Sequence, residues 1–355
     1  MKGLQLLATG GALPGRVVTN EDLSRQVDTS DEWITTRTGI RQRYYCTESE
    51  DAATLAIAAA RQALARSGLA ASEIACCVAA TLSAPTATPS VACRVQAALG
   101  LPENRPAFDV NAACSGFIYA IAAAHGLLNT LGGRYALVIG CEALSRMVDP
   151  TDRTTCVLFG DGAGAAILEL AEDVPFAVTL GARGSEAIRV GGPAACDTAP
   201  ITMDGKAVFR FAVETMPRCL QTVLERSQKT LADLDWVVCH QANSRIIDHC
   251  IKHLHAEPSK FYKNMDRHGN TSAASIPIAL HEMVDIFNKE GIETEVIHVG
   301  NKDIRGCVAC GQCSKLGHCV FNDLVNEVAT KFAEADGLVV GSPVYYASAN
   351  ATLVA

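Results

Sequence analysis

A chain of 355 residues, 49% of them hydrophobic, has the material for two core-building units, which excludes a disordered protein. A formal net charge of −8 and a pI near 5.6, with no Lys/Arg-rich run, exclude a general nucleic-acid binder but leave room for local basic patches facing an acidic partner. Eleven of the fifteen cysteines are scattered between Cys46 and Cys250, the pattern of small buried hydrophobes in a reducing cytoplasm.

At the N-terminus, MKGLQLLATGGALPG holds Gln5 and too short an apolar run for a secretory signal. Then GLQLLAT predicts a strand, Ala52 to Ser67 an alanine-rich helix, IACCVAATLS a strand, VACRVQAALG a helix, AFDVN a strand, the text from Cys114 a helix, and YALVIGCE a strand. That order reads as βαβ units around buried strands. The longest nearly uncharged apolar stretch, GFIYAIAAAHGLL, has about a dozen residues and suits a buried helix rather than a membrane span. TTCVLF and AGAAILEL predict two more strands around the turn GDGAG; no helix opens after Gly160, Gly162 and Gly164, so a nucleotide loop is not expected.

From Phe176 the pattern restarts, with FAVTL, a helix from Ala207 to Arg226, the strand-like LDWVVCH, a helix from Ser244 to Leu254 and another from Thr271. The similar order of the two halves suggests a pseudo-duplicated α/β fold. Beyond Leu280 the text becomes charged and amphipathic, with 10 acidic against 5 basic residues from His281 to Ala355. No linker marks this boundary, because the helix begun at Thr271 runs through it.

Three stretches carry chemistry. DVNAACSGF places Cys114 after a strand and at the start of an apolar helix, where the helix end favours the thiolate that attacks thioesters. WVVCHQANSRIID sets His240 at a strand end, and DRHGNTSAASIPIAL offers Asn270 in a glycine-bearing turn before a helix. Alone, each residue reads equally well as structural: a buried thiol, a satisfied polar histidine, a turn asparagine.

Together and in this order, DVNAACSGF, HQANSRI and GNTSAASIP make residues 1 to about 280 resemble β-ketoacyl-acyl-carrier-protein synthase III of the thiolase superfamily. SDEWITTRTGIRQR, TPSVACRVQAALG, DRTTCVLFGDGAGAAIL and MDGKAVFRFAV extend the likeness. The resemblance implies a catalytic set of Cys114, His240 and Asn270, and a decarboxylative condensation of an acyl-CoA with malonyl-acyl carrier protein that needs no cofactor. It implies a CoA site in which Trp33 and Arg153 flank the adenine, with Arg37, Gly205 and Asn243 nearby. Arg210 and Arg245 match basic positions that receive the carrier protein. A cytoplasmic homodimer, with no nucleic-acid or membrane partner, is implied as well.

That family continues past the helix after Asn270 into two strands and a glycine-rich turn that completes the acyl oxyanion hole. No such turn is found here, and loss of one such donor costs about 100- to 1,000-fold in rate. Instead, LHEMVDIFNKEGIETEVIHV and DGLVVGSPVYYASANATL resemble NADPH-dependent flavin reductases of the flavodoxin-like group, particularly iron-sulfur flavoproteins. Between them Cys307, Cys310, Cys313 and Cys319 have the C-x2-C-x2-C-x5-C spacing of a four-iron cluster site, and GSPVYYAS matches the loop against the flavin ring. The first strand and phosphate loop of that group are missing, and so are its later strands.

The expected fold is therefore α/β with thiolase-like pseudo-duplicated βαβ layers, its C-terminal half truncated and continued by a partial flavodoxin-like segment. The expected domains are 1–172 with the nucleophile, 173–280 with His240 and Asn270, and 281–355 as the flavin-reductase fragment. A condensing enzyme is the leading expectation. The alternatives are a flavin and iron-sulfur electron-transfer protein, and an inactive chimera that keeps only carrier-protein or dimer binding.

Overall fold

The computed structural model describes residues 2–172, 174–192, 199–289, 310–321 and 326. It divides into two compact units, one of residues 5–170 and 177–286, the other of 1–4, 171–176 and 287–355.

The larger unit opens with β1 (Gly3–Ala12, whose first residues belong to the other unit) and a hairpin of β2 (Arg16–Thr19) and β3 (Gln42–Tyr45). Two short helices fill the hairpin's connection: α1 (Asn20–Ser24), with a capping box on Thr19, and α2 (Asp31–Thr38), whose Trp33 N–H donates to Ser30. The alanine-rich helix forms as expected, α3 (Ala52–Ser67). Asp51 caps its start through a reciprocal bond with Thr54, and Gly68 ends it in the left-handed conformation that glycine takes without strain. Its alanines Ala56, Ala59, Ala60 and Ala63 are fully buried, because small side chains let the helix lie close on the sheet.

β4 (Ile74–Ala80), α4 (Val91–Leu99), β5 (Ala107–Val110), α5 (Gly116–Leu131), β6 (Tyr135–Ala143) and β7 (Asp161–Ala171) complete this half. One sheet results, in the order β1-β7-β6-β4-β5. β4 pairs parallel with β5 and β6, and β6 antiparallel with β7. Every residue of β4 is buried, as expected of a parallel strand covered on both faces. α3 packs against β6 and α4, while α5 packs on β4 and β6.

Two expectations fail in informative ways. TTCVLF is not a strand: Asp152 accepts hydrogen bonds from Thr154 N (2.9 Å), Thr154 Oγ1 (2.7 Å) and Thr155 Oγ1 (3.0 Å), and these fold the segment into turns. β7 instead begins at Asp161, so Gly162 and Gly164 of GDGAG lie in the strand and Gly160 just before it. A Cβ on Gly164 would sit 2.5 Å from the Pro277 carbonyl carbon, so that glycine marks where a later helix lies directly on the sheet. The apolar helix is also longer than its quoted stretch: Ala113–Leu131 is long and apolar enough to cross a membrane, yet Phe117, Ala120, Ala124 and Leu128 bury one face against β4 and β6.

The second half yields α6 (Gly205–Ser227), α7 (Ser244–His253) and α9 (Ser275–Lys289) where helices are expected, and a short unexpected one, α8 (Met265–His268), but not the expected strands. FAVTL and LDWVVCH form no ladder; Val237 makes an isolated bridge with Phe261, its N–H donating to Lys260 O at 2.7 Å. A strand is stable only with neighbours to satisfy its backbone, and among the described residues none flanks this one. α9 runs unbroken through the textual boundary near 280. Glu282 accepts from His268 Nε2 (2.6 Å) and Asn264 Nδ2 (2.7 Å), and Asp285 from Arg66 (2.7 Å), so the residues just past that boundary are docked on this unit. α10 (Cys313–Leu316) is a single turn in the other unit.

Candidate active site

Cys114 lies in a 3-10 turn, Ala113–Ser115, one residue before the N-cap of α5. Ala113 has φ of 45°, and Ser272, which opens the 3-10 turn Ser272–Ala274, has φ of 47°. Neither is glycine, so both turns hold strained backbone, as functional turns often do. The two turns pack on each other. Gly116 makes this possible, since a Cβ there would lie 3.0 Å from Ala80 Cβ and 3.2 Å from Ala273 Cβ.

Asn270 and His240 join the same turn from its two ends. Asn270 N donates to Leu158 O (2.8 Å), Gly160 N donates to Asn270 O (3.0 Å), and Asn270 Oδ1 accepts from Ser272 N (2.9 Å). The side-chain NH2 is then its remaining donor. Leu158 is itself set by Arg43, a fully buried guanidinium that donates to the adjacent Val157 O (2.6 Å) and to Asn20 Oδ1 (2.7 Å). After the turn, Ser275 Oγ stands 2.6 Å from His240 Nδ1. Gln241 N also donates to Ser275 Oγ, at 3.3 Å. The arrangement that satisfies all three groups has the hydroxyl proton on the Nδ1 side, which leaves Nε2–H as the imidazole donor. Residues 270–275 thus connect the thiol, the imidazole and the carboxamide.

Burial governs the electrostatics. It drives the His240 pKa down to about 4, so the ring is neutral at physiological pH. The helix end was expected to favour the Cys114 thiolate, but in the resting protein burial pushes that thiol up to about 11; the Ser272 hydroxyl counters this and Glu142 adds to it. Glu142, at the end of β6, is itself raised to about 7 by burial, against hydrogen bonds from Ser83, Leu82 and Thr81 and the nearby Ser272 hydroxyl. Although Ser272 Oγ lies close enough to favour both charged forms, it makes no hydrogen bond of ordinary geometry in the resting site, and that geometry defines its resting state. Glu142, Ser272 and Ser275 were not among the residues expected from sequence. The one available signal was a lone carboxylate in the otherwise uncharged strand YALVIGCE.

Four of the residues expected at a CoA site lie together. The Arg37 and Arg153 guanidiniums stack on the Trp33 ring at 4.5 and 5.0 Å from its centroid, and Asn243 Nδ2 donates to Arg37 O at 3.0 Å. Gly205 opens α6, capped by Asp204. Arg210 and Arg245 are both exposed; the Arg245 guanidinium lies 5.6 Å from the Phe209 ring centroid, where α7 packs on α6.

Of the four cysteines with cluster spacing, Cys307 lies outside the described residues, as does the loop from Gly341. Cys310, Cys313 and Cys319 are free thiols, and among the described residues no three His, Cys, Asp or Glu side chains converge to hold a metal ion. The described part of the motif therefore does not assemble the iron-sulfur site its spacing suggested.

Comparison with known proteins follows the same division. The family models for 3-oxoacyl-[acyl-carrier-protein] synthase III and for its C-terminal region match residues 108–184 and 224–291. A model for NADPH-dependent FMN reductase matches residues 268–355, overlapping the second. The β-ketoacyl-[acyl-carrier-protein] synthase III of Neisseria meningitidis serogroup A is 46% identical over 288 residues, 79% of this chain and 90% of that protein. That of Erythrobacter litoralis is 47% identical over 285 residues, 78% and 88% of the two chains. The crystal structure of 3-oxoacyl-[acyl-carrier-protein] synthase III from Aquifex aeolicus superposes with a TM-score of 0.75 at 41% identity, covering 84% of this chain and 94% of that one. The fold is accordingly the thiolase-like α/β fold, and the chain belongs to the 3-oxoacyl-[acyl-carrier-protein] synthase III family.

Proposed function

We propose that the chain condenses an acyl-CoA starter, acetyl-CoA first, with malonyl-acyl carrier protein, the step that starts type II fatty-acid synthesis. The observation that carries this reading is the convergence of Cys114, His240 and Asn270 on residues 270–275. Cys114 Sγ bonds to the acyl carbon as the bond to CoA sulfur breaks, and CoA leaves as the thiol with the cysteine's proton. Malonyl thioester then loses CO2, and the electron pair of the broken C–C bond passes into an enolate. Its oxygen accepts from His240 Nε2–H and the Asn270 NH2, donors that are fixed and uncharged before reaction and so need no reorganisation. The carbanion attacks the acyl-enzyme, the new C–C bond forms, and the bond to Cys114 breaks, its sulfur leaving as the thiolate and taking a proton from solvent. Initial rates with both substrates varied should give the parallel lines of a ping-pong enzyme, and intersecting lines would reject the acyl-enzyme.

The stacked Trp33, Arg37 and Arg153 group, with Asn243 and Gly205, is assigned to the adenine end of CoA, because a flat aromatic flanked by guanidiniums can receive a further ring. Arg210 and Arg245 are assigned to the acidic carrier protein. Arg245→Glu should raise the apparent KM for malonyl-acyl carrier protein roughly tenfold, about 1.4 kcal/mol, and leave that for acetyl-CoA unchanged. Equal values for wild type and variant would remove the assignment. The working protein is assigned as a cytoplasmic homodimer with no membrane or nucleic-acid partner.

Residues 1–172 and 173–280 are read as the two thiolase-like halves, and 281–355 as a flavodoxin-like fragment joined to them. The FMN-reductase match over 268–355 supports this second identity for the C-terminal text. A flavin and iron-sulfur role for that fragment rests on the match and the cysteine spacing alone. Anaerobically purified protein with neither brown colour nor bound flavin would dismiss it.

A further inference from the structure

We propose that Glu142 is a positioning residue of the condensing site: its carboxyl group braces the turns around Cys114 and sets, by its charge, how readily that thiol gives up its proton. The proposal rests on Cys114 being the acylated nucleophile.

Glu142 has no accessible surface and pairs with no cation among the described residues. A carboxylate so placed is costly unless other groups are built to hold it. Three donors do so: Ser83 Oγ at 2.5 Å, Leu82 N at 3.2 Å and Thr81 Oγ1 at 3.3 Å. Ser83 Oγ also accepts from Ala143 N at 2.8 Å, so the carboxyl and its partners lace the exit of β4 to the end of β6. The catalytic turns rest on these same two strand ends. A Cβ on Gly116, two residues after Cys114, would meet Ala80 and Ala273, and one on Gly140 would come within 2.2 Å of Ala273 O. Between them lies the buried Ser272 hydroxyl, unpartnered at rest and close to both the thiol and the carboxyl.

The groups that face Glu142 are few. The β4 exit contributes Thr81 and Ser83, the 272–274 turn Ser272, the α5 turn Cys114, and its own strand Cys141. β7 places Gly162 opposite it, and the neighbouring Asp161 is held by Ser145 and the Cys46 N–H. Asp109 of β5 acts on Cys141, and α3 covers β6 with alanines. Among the described residues no positive charge offsets Glu142, so its ionisation is felt directly by Cys114. Burial sets that ionisation near pH 7, neutral below and opposing the thiolate above. By reciprocity, ionising Cys114 disfavours the charged form of Glu142.

The test is the rate of Cys114 alkylation by iodoacetamide, followed on the Cys114 peptide by mass spectrometry from pH 5.5 to 9 in wild type and Glu142→Gln. The profiles should coincide below pH 6, and above pH 8 the variant should react roughly tenfold faster, the effect of about one pKa unit. Superimposable profiles from a folded variant would overturn the proposal. If Glu142→Gln does not fold, Ser83→Ala removes one donor to the carboxylate and should move the wild-type break to higher pH; an unmoved break overturns it equally. Label from radioactive acetyl-CoA on a residue other than Cys114 would defeat the nucleophile reading itself, a failure distinct from that of Glu142.

Discussion

Cys114→Ser should abolish transfer of radiolabel from acetyl-CoA to the protein, a loss of more than about 1,000-fold in the acylation rate. The fold supplies the reason. A serine hydroxyl fits the same turn but gives up its proton far less readily than a thiol, and His240 is a weak base, with a pKa down to about 4, already bonded to Ser275. A thiol is less demanding, because a small thiolate fraction is intrinsically nucleophilic even with its pKa raised to about 11. Competing thiols are poor candidates. Cys76, Cys77, Cys141 and Cys239 are buried, and burial raises each of them. Equal label on wild type and Cys114→Ser would sink the proposed mechanism.

His240→Ala should separate the two half-reactions. Acetyl label should still appear on Cys114, while decarboxylation of malonyl-acyl carrier protein falls about 100- to 1,000-fold, the usual cost of one oxyanion donor. Because His240 stays neutral down to about pH 4, its titration should leave no inflection in the wild-type decarboxylation profile between pH 5 and 8. The stability consequence has a definite sign. Unfolded histidine titrates near 6.5 and the folded group near 4, so above pH 6.5 neither state holds the proton and the residue contributes nothing to the pH dependence. As pH falls from 6.5 to 4 the unfolded state alone binds a proton, and His240 increasingly favours unfolding. A variant whose decarboxylation stays within tenfold of wild type would show that the ring is not an oxyanion donor.

The first half of the fold was legible because its signals are local. Asp51 with Thr54 and Gly68 delimit α3 to the residue, and the unbroken apolar run of β4 announces a strand covered on both faces. TTCVLF misled because β-branched and aromatic composition says nothing of Asp152, whose side chain captures the following backbone before a ladder can form. LDWVVCH has strand composition too, but a strand is a property of its neighbours, and these are not in its own text. Within the site, the motifs singled out Cys114, His240 and Asn270, while Ser275 and Glu142 escaped notice. Their significance lies in what they touch across 35 residues of sequence for His240–Ser275 and 59 for Glu142–Ser83.

The single bridge at Val237 has a kinetic meaning. Cys114 rides on a helix packed on a five-stranded sheet, whereas His240 hangs from a segment outside any ladder, tied by the Val237 bridge, by Ser275 and by the Gln241 side chain's bonds to Tyr262 O and Asn264 N. Such segments open at free energies well below that of global unfolding. On warming, the imidazole should therefore leave the site while the thiol is still in place, giving the two half-reactions separate thermal ceilings. Above the lower one the protein would accept acetyl groups it cannot pass on, and so become a slow trap for its own starter.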